Sequence, residues 1–328
     1  MTRVLWLTPN KPENISVGRA RIASHLEENG FNVDLRAGRP WIIREIFASD
    51  DEYDAIIGTT RAGAIVGLVV STVTGLPLVV DHVDPIRQLE ETSVWPIAQS
   101  VRHLENLAFR KSAHTLYVYS EEKTRVQRHA TTATKSDLGV EYNRFADPDA
   151  RILDIASDRL EKFDLRKNVV IYVGGLEPIY HIRELVESIY YLDDWSLVVL
   201  GSGSLEPTVT DAAANSDRII YLGTVPHEHV PGYLHAADVG VSLVDDPHTL
   251  KVLEYGAARL PTVQLSGRAE KKFDGTVEFC EAESASIAAA IERANDVSET
   301  TIDSLQKLAA EYSWERIAGE YSNVLRSL

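Results

Sequence analysis

The chain has 328 residues, enough for two ordinary domains, with a formal net charge of −16, 44% hydrophobic residues and one cysteine, Cys280. That balance excludes a general nucleic-acid binder, which would carry a basic stripe, and the lone thiol excludes an intrachain disulfide or a cysteine-rich metal site. Arginine outnumbers lysine and the acids are spread along the whole length, a pattern suited to high salt, where screening removes self-repulsion.

Residues 1–7, Met-Thr-Arg-Val-Leu-Trp-Leu, read as entering a strand at once, so no signal peptide is expected. No apolar run approaches the ~20 residues that span a bilayer, so a cytoplasmic protein is expected. Residues 4–7 read as a buried strand, 19–28 as an amphipathic helix stopped by Gly30, and 31–35 as a second strand. Residues 39–47 combine arginines with Trp41, Ile42 and Phe47. They read either as a helix packed into the core or as a segment resting on the inner face of a membrane. Strands are expected at 55–58, 78–80, 115–119 and 133–136, with helices at 62–73 and 102–111 between them. His82 is expected just past a strand end, open to an acceptor, with Asp81 and Asp84 beside it; the alternative is a structural histidine. No third ligand joins the two aspartates, so no metal site is expected.

A linker signal falls at 145–164, around Asp147-Pro148-Asp149. A second alternation follows, with strands at 169–173, 197–200, 219–222, 239–244 and 262–265. Helices are expected at 182–190, 284–293, 302–311 and 314–325. Two such α/β units define two Rossmann-like doubly wound parallel-sheet domains, whose cleft is the usual place for a small-molecule site. Several familiar constellations are missing: there is no G-x-x-x-x-G-K-[ST] loop and no H-E-x-x-H. Glycines stand at strand ends instead, as Gly174-Gly175 and Gly201-Ser202-Gly203, where backbone amides can approach a diphosphate. Glu206 takes the place of a third glycine, which leaves a Rossmann oxidoreductase as the outside alternative.

Residues 239–261 organise the second half. A strand runs into Asp245-Asp246, Pro247 breaks it, and Thr249 can cap a helix carrying Lys251, Glu254 and Tyr255. Strand, turn and helix N-terminus together are where open α/β sheets hold anionic ligands. Asp246 and Glu254 can reach one ligand from two sides. His227 and His229 read as surface residues, and no side chain stands out as a covalent nucleophile.

These pieces resemble a family. Tyr172-Val173-Gly174-Gly175-Leu176, Leu200-Gly201-Ser202-Gly203, Tyr221-Leu222-Gly223-Thr224-Val225-Pro226, and Asp246 and Glu254 with seven residues between them occur in order. So do Glu105 with Arg110, the run Gly139 to Phe145, and Tyr312-Ser313-Trp314-Glu315. The chain is similar to GT-B glycosyltransferases, above all the retaining enzymes of glycosyltransferase family 4. The resemblance implies an N-terminal acceptor-side domain of residues 1–160, rejoined by a last helix at about 313–328. A nucleotide-sugar domain of residues 161–312 is implied beside it.

It also implies roles. Glu254 would take the ribose hydroxyls and Asp246 the sugar hydroxyls, with His248 and Thr249 nearby. Leu250 and Lys251 would open the helix toward the diphosphate, with Gly174, Gly175 and Gly203 close by. Thr224 and Val225 would meet the base through backbone atoms. The donor would be a UDP- or GDP-linked sugar, with no resident cofactor or metal, and the acceptor a glycan or lipid-linked hydroxyl. His82, Asp246 and Lys251 are the expected catalytic groups. The family's arginine and lysine for the departing diphosphate are replaced by Gly175 and Tyr180. Lys251 is the first candidate to compensate, before Arg183, His181 and Lys271. A silent binding protein and a nucleotide-sugar 2-epimerase are the remaining alternatives.

Overall fold

Each set of apolar runs builds one six-stranded parallel sheet in a computed structural model that describes residues 1–8, 14–39, 41–48 and 52–328. The chain divides into two units, residues 1–139 with 314–328, and residues 140–313. The boundary lies some twenty residues before the expected one. Phe145, Ala156 and Leu160, from the stretch read as linker, are fully or nearly fully buried in the core of the second unit.

In the first unit β1 is Arg3–Thr8, α1 Asn14–Glu28, β2 Asn32–Ala37, α2 Ile42–Ala48, β3 Ala55–Thr59 and α3 Thr60–Thr74. There follow β4 Leu78–His82, α4 Ile86–Thr92, α5 Trp95–Lys111, β5 His114–Tyr117, α6 Lys123–His129 and β6 Ala133–Lys135. The strand order is β2-β1-β3-β4-β5-β6. Successive strand side chains point to opposite faces, so β1 feeds two cores. Val4 and Trp6 pack with α1, and Leu5 and Leu7 pack on the face of Ala64, Leu68 and Phe109. In the stretch 39–47, Ile42 is buried while Trp41 is exposed under the Arg39 guanidinium; Pro40 and the Phe47 side chain lie outside the described residues. Among the described residues no helix is long and apolar enough to cross a membrane.

β4 corrects the reading of His82. The strand runs two residues past its apolar stretch, so Asp81 and His82 belong to it and each is 1% exposed. Buried polar groups need partners, and both have them. The Asp81 carboxylate accepts from Arg19 Nε at 2.7 Å and Nη2 at 2.8 Å, from Thr59 Oγ1 at 2.6 Å, and from Tyr321 Oη at 2.7 Å. His82 lies between two carboxylates, with Nε2 3.0 Å from Glu122 and Nδ1 3.2 Å from Glu105, and Arg125 pairs with both acids. The imidazole is thus enclosed in the core between two carboxylates, not placed past a strand end.

The enclosure has a pH signature. Burial opposes charge on these groups, yet the pairing wins: the Glu122 carboxyl falls from 4.5 to about 2, and the His82 imidazole rises above 6.5. The depressed acid contributes stability above pH 4.5 that is lost as pH falls toward 2. The raised histidine contributes stability below pH 6.5 that is lost as pH climbs through its folded value. Glu122→Gln is therefore expected to cost the first unit about 1–3 kcal/mol near pH 6. It should also flatten the loss of stability below pH 4.5, as read by denaturant unfolding across pH.

In the second unit α7 is Tyr142–Ala146, α8 Ala150–Leu160, β7 Asn168–Val173, α9 Ile182–Ser188, β8 Trp195–Leu200, α10 Glu206–Asn215 and β9 Ile219–Gly223. Then come α11 Val230–His235, β10 Val239–Ser242, α12 Leu250–Ala257, β11 Thr262–Leu265, α13 Glu270–Phe273, β12 Glu278–Cys280, α14 Ser284–Asn295 and α15 Glu299–Glu311. The last helix, α16 Trp314–Arg326, packs in the first unit beside α1 through Ile317, Tyr321 and Val324. The second sheet runs β12-β11-β10-β7-β8-β9, with the order reversing between β7 and β10. At such a switch point, crossovers leave on opposite faces and a crevice opens past the strand ends. The Tyr255 hydroxyl braces it, accepting from Val173 N at 3.2 Å and donating to Val241 O at 3.4 Å.

Candidate functional site

The residues at that crevice are held by backbone contact. Gly174 follows β7 with φ +147° and Gly201 follows β8 with φ +136°, values that L side chains rarely adopt. A Cβ on Gly201 would lie 1.8 Å from the Gly174 carbonyl oxygen, so neither loop can carry a side chain there and keep its path. Gly174 N donates to Leu200 O and Gly201 N to Gly223 O, each at 2.9 Å, which extends the ladder past the strands. Beyond these ends lies a cavity of ≈ 320 Å³, within the size range of small-molecule sites. Gly174 and Gly175, Gly201 and Ser202, and Thr224, Val225 and His227 line it.

Gly203 is not among the lining residues; a Cβ there would meet the Leu176 carbonyl oxygen at 2.6 Å, so its smallness serves packing between two loops. Gly201 and Ser202 take the place assigned to it. Glu177 ties the same loops together by accepting from Ser204 N at 3.0 Å.

The turn from β10 into α12 presents the acids. Asp246 closes it: one carboxylate oxygen accepts from His248 N at 2.9 Å and its carbonyl accepts from Thr249 N at 3.2 Å. Thr249 holds the N-cap position but makes no side-chain cap; its buried hydroxyl faces Ser242 Oγ at 3.4 Å. The sequence reading of Thr249 as a capping side chain is thus corrected, and a ligand can take the first-turn amides that it leaves. Leu250 packs its side chain on the core and offers backbone only. Asp245 is engaged elsewhere, with Arg268 Nε at 3.2 Å.

Lys251 stands on the first turn of α12 and reaches back over Gly174. Its Nζ donates to Tyr172 Oη at 3.1 Å and lies 4.6 Å and 4.2 Å from the ring centroids of Tyr172 and Tyr180. Tyr172 Oη in turn donates to Gly175 O at 2.7 Å. Aromatic faces attract a cation without neutralising it. Burial lowers the Lys251 ammonium from 10.5 to about 8, with Glu254 partly opposing the fall. Tyr180, where the resemblance led one to look for a lysine, is thus one wall of a cage around a lysine from another element. Arg183 and Lys271 are exposed on α9 and α13, and His181 approaches Glu184 at 4.0 Å.

One turn on, Glu254 is mostly buried and receives His227 Nε2 on Oε1 at 3.0 Å. His227 was read as a surface residue. It is exposed, yet it lines the cavity and holds a site carboxylate. A spacing of 27 positions hides such a pair from any local pattern. The structure therefore gathers Gly174, Gly175, Thr224, Val225, Lys251 and Glu254 around one crevice, with Asp246 and His248 at the turn above α12. His82 lies in the other unit.

With that geometry in hand, the class follows. A family described as Glycosyl transferases group 1 matches residues 167–296, within the second unit. The match and the two Rossmann-like units support a GT-B glycosyltransferase. Among solved structures, HepE of Anabaena in complex with UDP shares 17% identity over 100% of both chains, with a TM-score of 0.76. Sucrose-phosphate synthase of Thermosynechococcus elongatus shares 14% over 100% of this chain and 99% of its own, at 0.75. Trehalose-6-phosphate synthase OtsA shares 9% over 100% of this chain and 99% of its own, at 0.73. At these identities the likeness is one of fold. No curated protein matches the chain by sequence.

Proposed function

We propose that the protein transfers a sugar from a UDP- or GDP-linked donor to a hydroxyl acceptor, with retention of configuration and without a metal or a resident cofactor. The observation that carries this reading is the placement of Lys251 and Glu254 one turn apart on α12, over the glycine ends of β7 and β8. In this reading the base lies against Thr224 and Val225, and Glu254 accepts a ribose hydroxyl proton. The diphosphate meets the first-turn amides of α12, the Gly174-Gly175 backbone and the Lys251 cation. Asp246 and the His248 amide hold the sugar. The leaving phosphate draws the acceptor proton on the face it departs from, so no separate carboxylate base is required. The acceptor is a glycan or a lipid-linked hydroxyl, bound by the first unit at the inner face of a membrane. The acidic composition suits assay at high salt.

Glu254→Ala is expected to weaken UDP or GDP binding about 10–100-fold by calorimetry, because a charged acceptor for ribose is lost. Unchanged affinity would remove Glu254 from the site. Incubation of the wild-type protein with several UDP- and GDP-sugars tests the reaction itself. Donor hydrolysis or transfer supports a transferase, a changed sugar without acceptor an epimerase, and tight binding without turnover a binding protein.

A further inference from the structure

Glu254 and His227 form an asymmetric pair. A carboxylate only accepts, so the imidazole nitrogen 3.0 Å from Glu254 Oε1 is the donor. Among the described residues Oε2 of Glu254 accepts no hydrogen bond. One oxygen is occupied by protein and the other is open. His227 is itself fixed from two sides: the ring meets buried Phe145 edge-on, at 5.7 Å between centroids, and the segment 227–229 is closed by His229 N donating to Pro226 O at 2.9 Å. Glu141, just before α7, and Arg144, on α7, are the charged neighbours of the ring besides Glu254.

We propose that His227 is a positioning residue of the donor site, holding the Glu254 carboxylate through Oε1 so that Oε2 meets one ribose hydroxyl. This rests on the reading of Glu254 as the ribose acceptor and adds how the carboxylate is aimed. A glutamate on a helix has three rotatable bonds and would otherwise sample several orientations, each aimed at a different point. The histidine selects one. It also leaves Oε2, which accepts from no other group among the described residues, wholly to the ligand.

The test compares UDP with 2′,3′-dideoxy-UDP, and GDP with its dideoxy analogue, by equilibrium binding to the full chain. The wild type is expected to bind the ribonucleotide well above the dideoxy form. His227→Ala should weaken the ribonucleotide about 5–20-fold and leave the dideoxy form within twofold, so that the discrimination shrinks. His227→Gln, whose amide can still donate to the carboxylate, should restore most of it. His227 is exposed, so the variants are expected to fold, and an unchanged unfolding midpoint checks that. Equal loss of both ligands in His227→Ala would mark a merely structural role and overturn the proposal, as would wild-type discrimination in that variant. A wild-type protein that binds neither ribonucleotide would instead overturn the donor-site reading itself.

Discussion

Lys251→Met lowers the transfer rate by about 10²–10³-fold, the usual cost of removing one charge-stabilising group from a transition state, while the unfolding midpoint stays level or rises. The expectation has two parts because the side chain has two. Its stem fills the space between Tyr172 and Tyr180, and methionine keeps that packing. Among the described residues its ammonium pairs with no carboxylate; it is held by a phenol oxygen and two ring faces, and desolvation has already pulled it down to about 8. Removing a charge that costs free energy to bury does not destabilise the fold. In the proposed reaction it removes the cation that meets the departing diphosphate. The same residue sets a pH limit: the free protein loses its cation as pH rises through about 8, so kcat/KM should fall on the alkaline side. That alkaline limb should vanish in Lys251→Met. A variant with wild-type turnover would assign the leaving-group charge elsewhere.

Gly201→Ala is expected to cost the second unit about 3–5 kcal/mol, at the upper end for a single substitution. Donor binding should be abolished with it. The residue sits at φ +136°, and its Cβ would lie 1.8 Å from a backbone oxygen, which cannot swing aside as a side chain could. Relief requires the β7 and β8 ends to part, breaking the Gly174–Leu200 hydrogen bond that shapes the crevice. Gly223→Ala is the matched control. That position also has positive φ, +67°, but nothing lies within 4 Å of the added carbon. About 1 kcal/mol of backbone strain is all it should cost. Urea midpoints of the two variants separate close approach from backbone conformation; equal midpoints would mean the strand ends are less tightly opposed than their geometry requires.

Both sheets were legible because parallel strands buried on two faces read as continuous apolar runs, and residues 4–7 and 169–173 are such runs. The strand Glu278–Cys280 was not, being three residues long, at a sheet edge and opened by a glutamate. His82 was misplaced for a related reason. Polarity at Asp81-His82 looked like a strand end, while the groups that make their burial tolerable, Arg19, Tyr321, Glu105 and Glu122, lie tens to hundreds of residues away. The glycine ends and the start of α12 could be read because their spacing is local. The cage around Lys251 and the His227–Glu254 pair could not, since each joins separate elements.

The seating of α16 has a consequence for biosynthesis. Tyr321 completes the polar cluster around Asp81 across 240 positions, and Ile317, Val324 and Leu325 fill the core beneath β1. The first 139 residues therefore emerge from the ribosome lacking part of their own interior. Residues 140–313 form a continuous segment and can close during synthesis, domain by domain. The unit translated first is thus the one completed last. Until α16 arrives, Arg19 and Asp81 lack Tyr321 and the apolar surface beside them stays open.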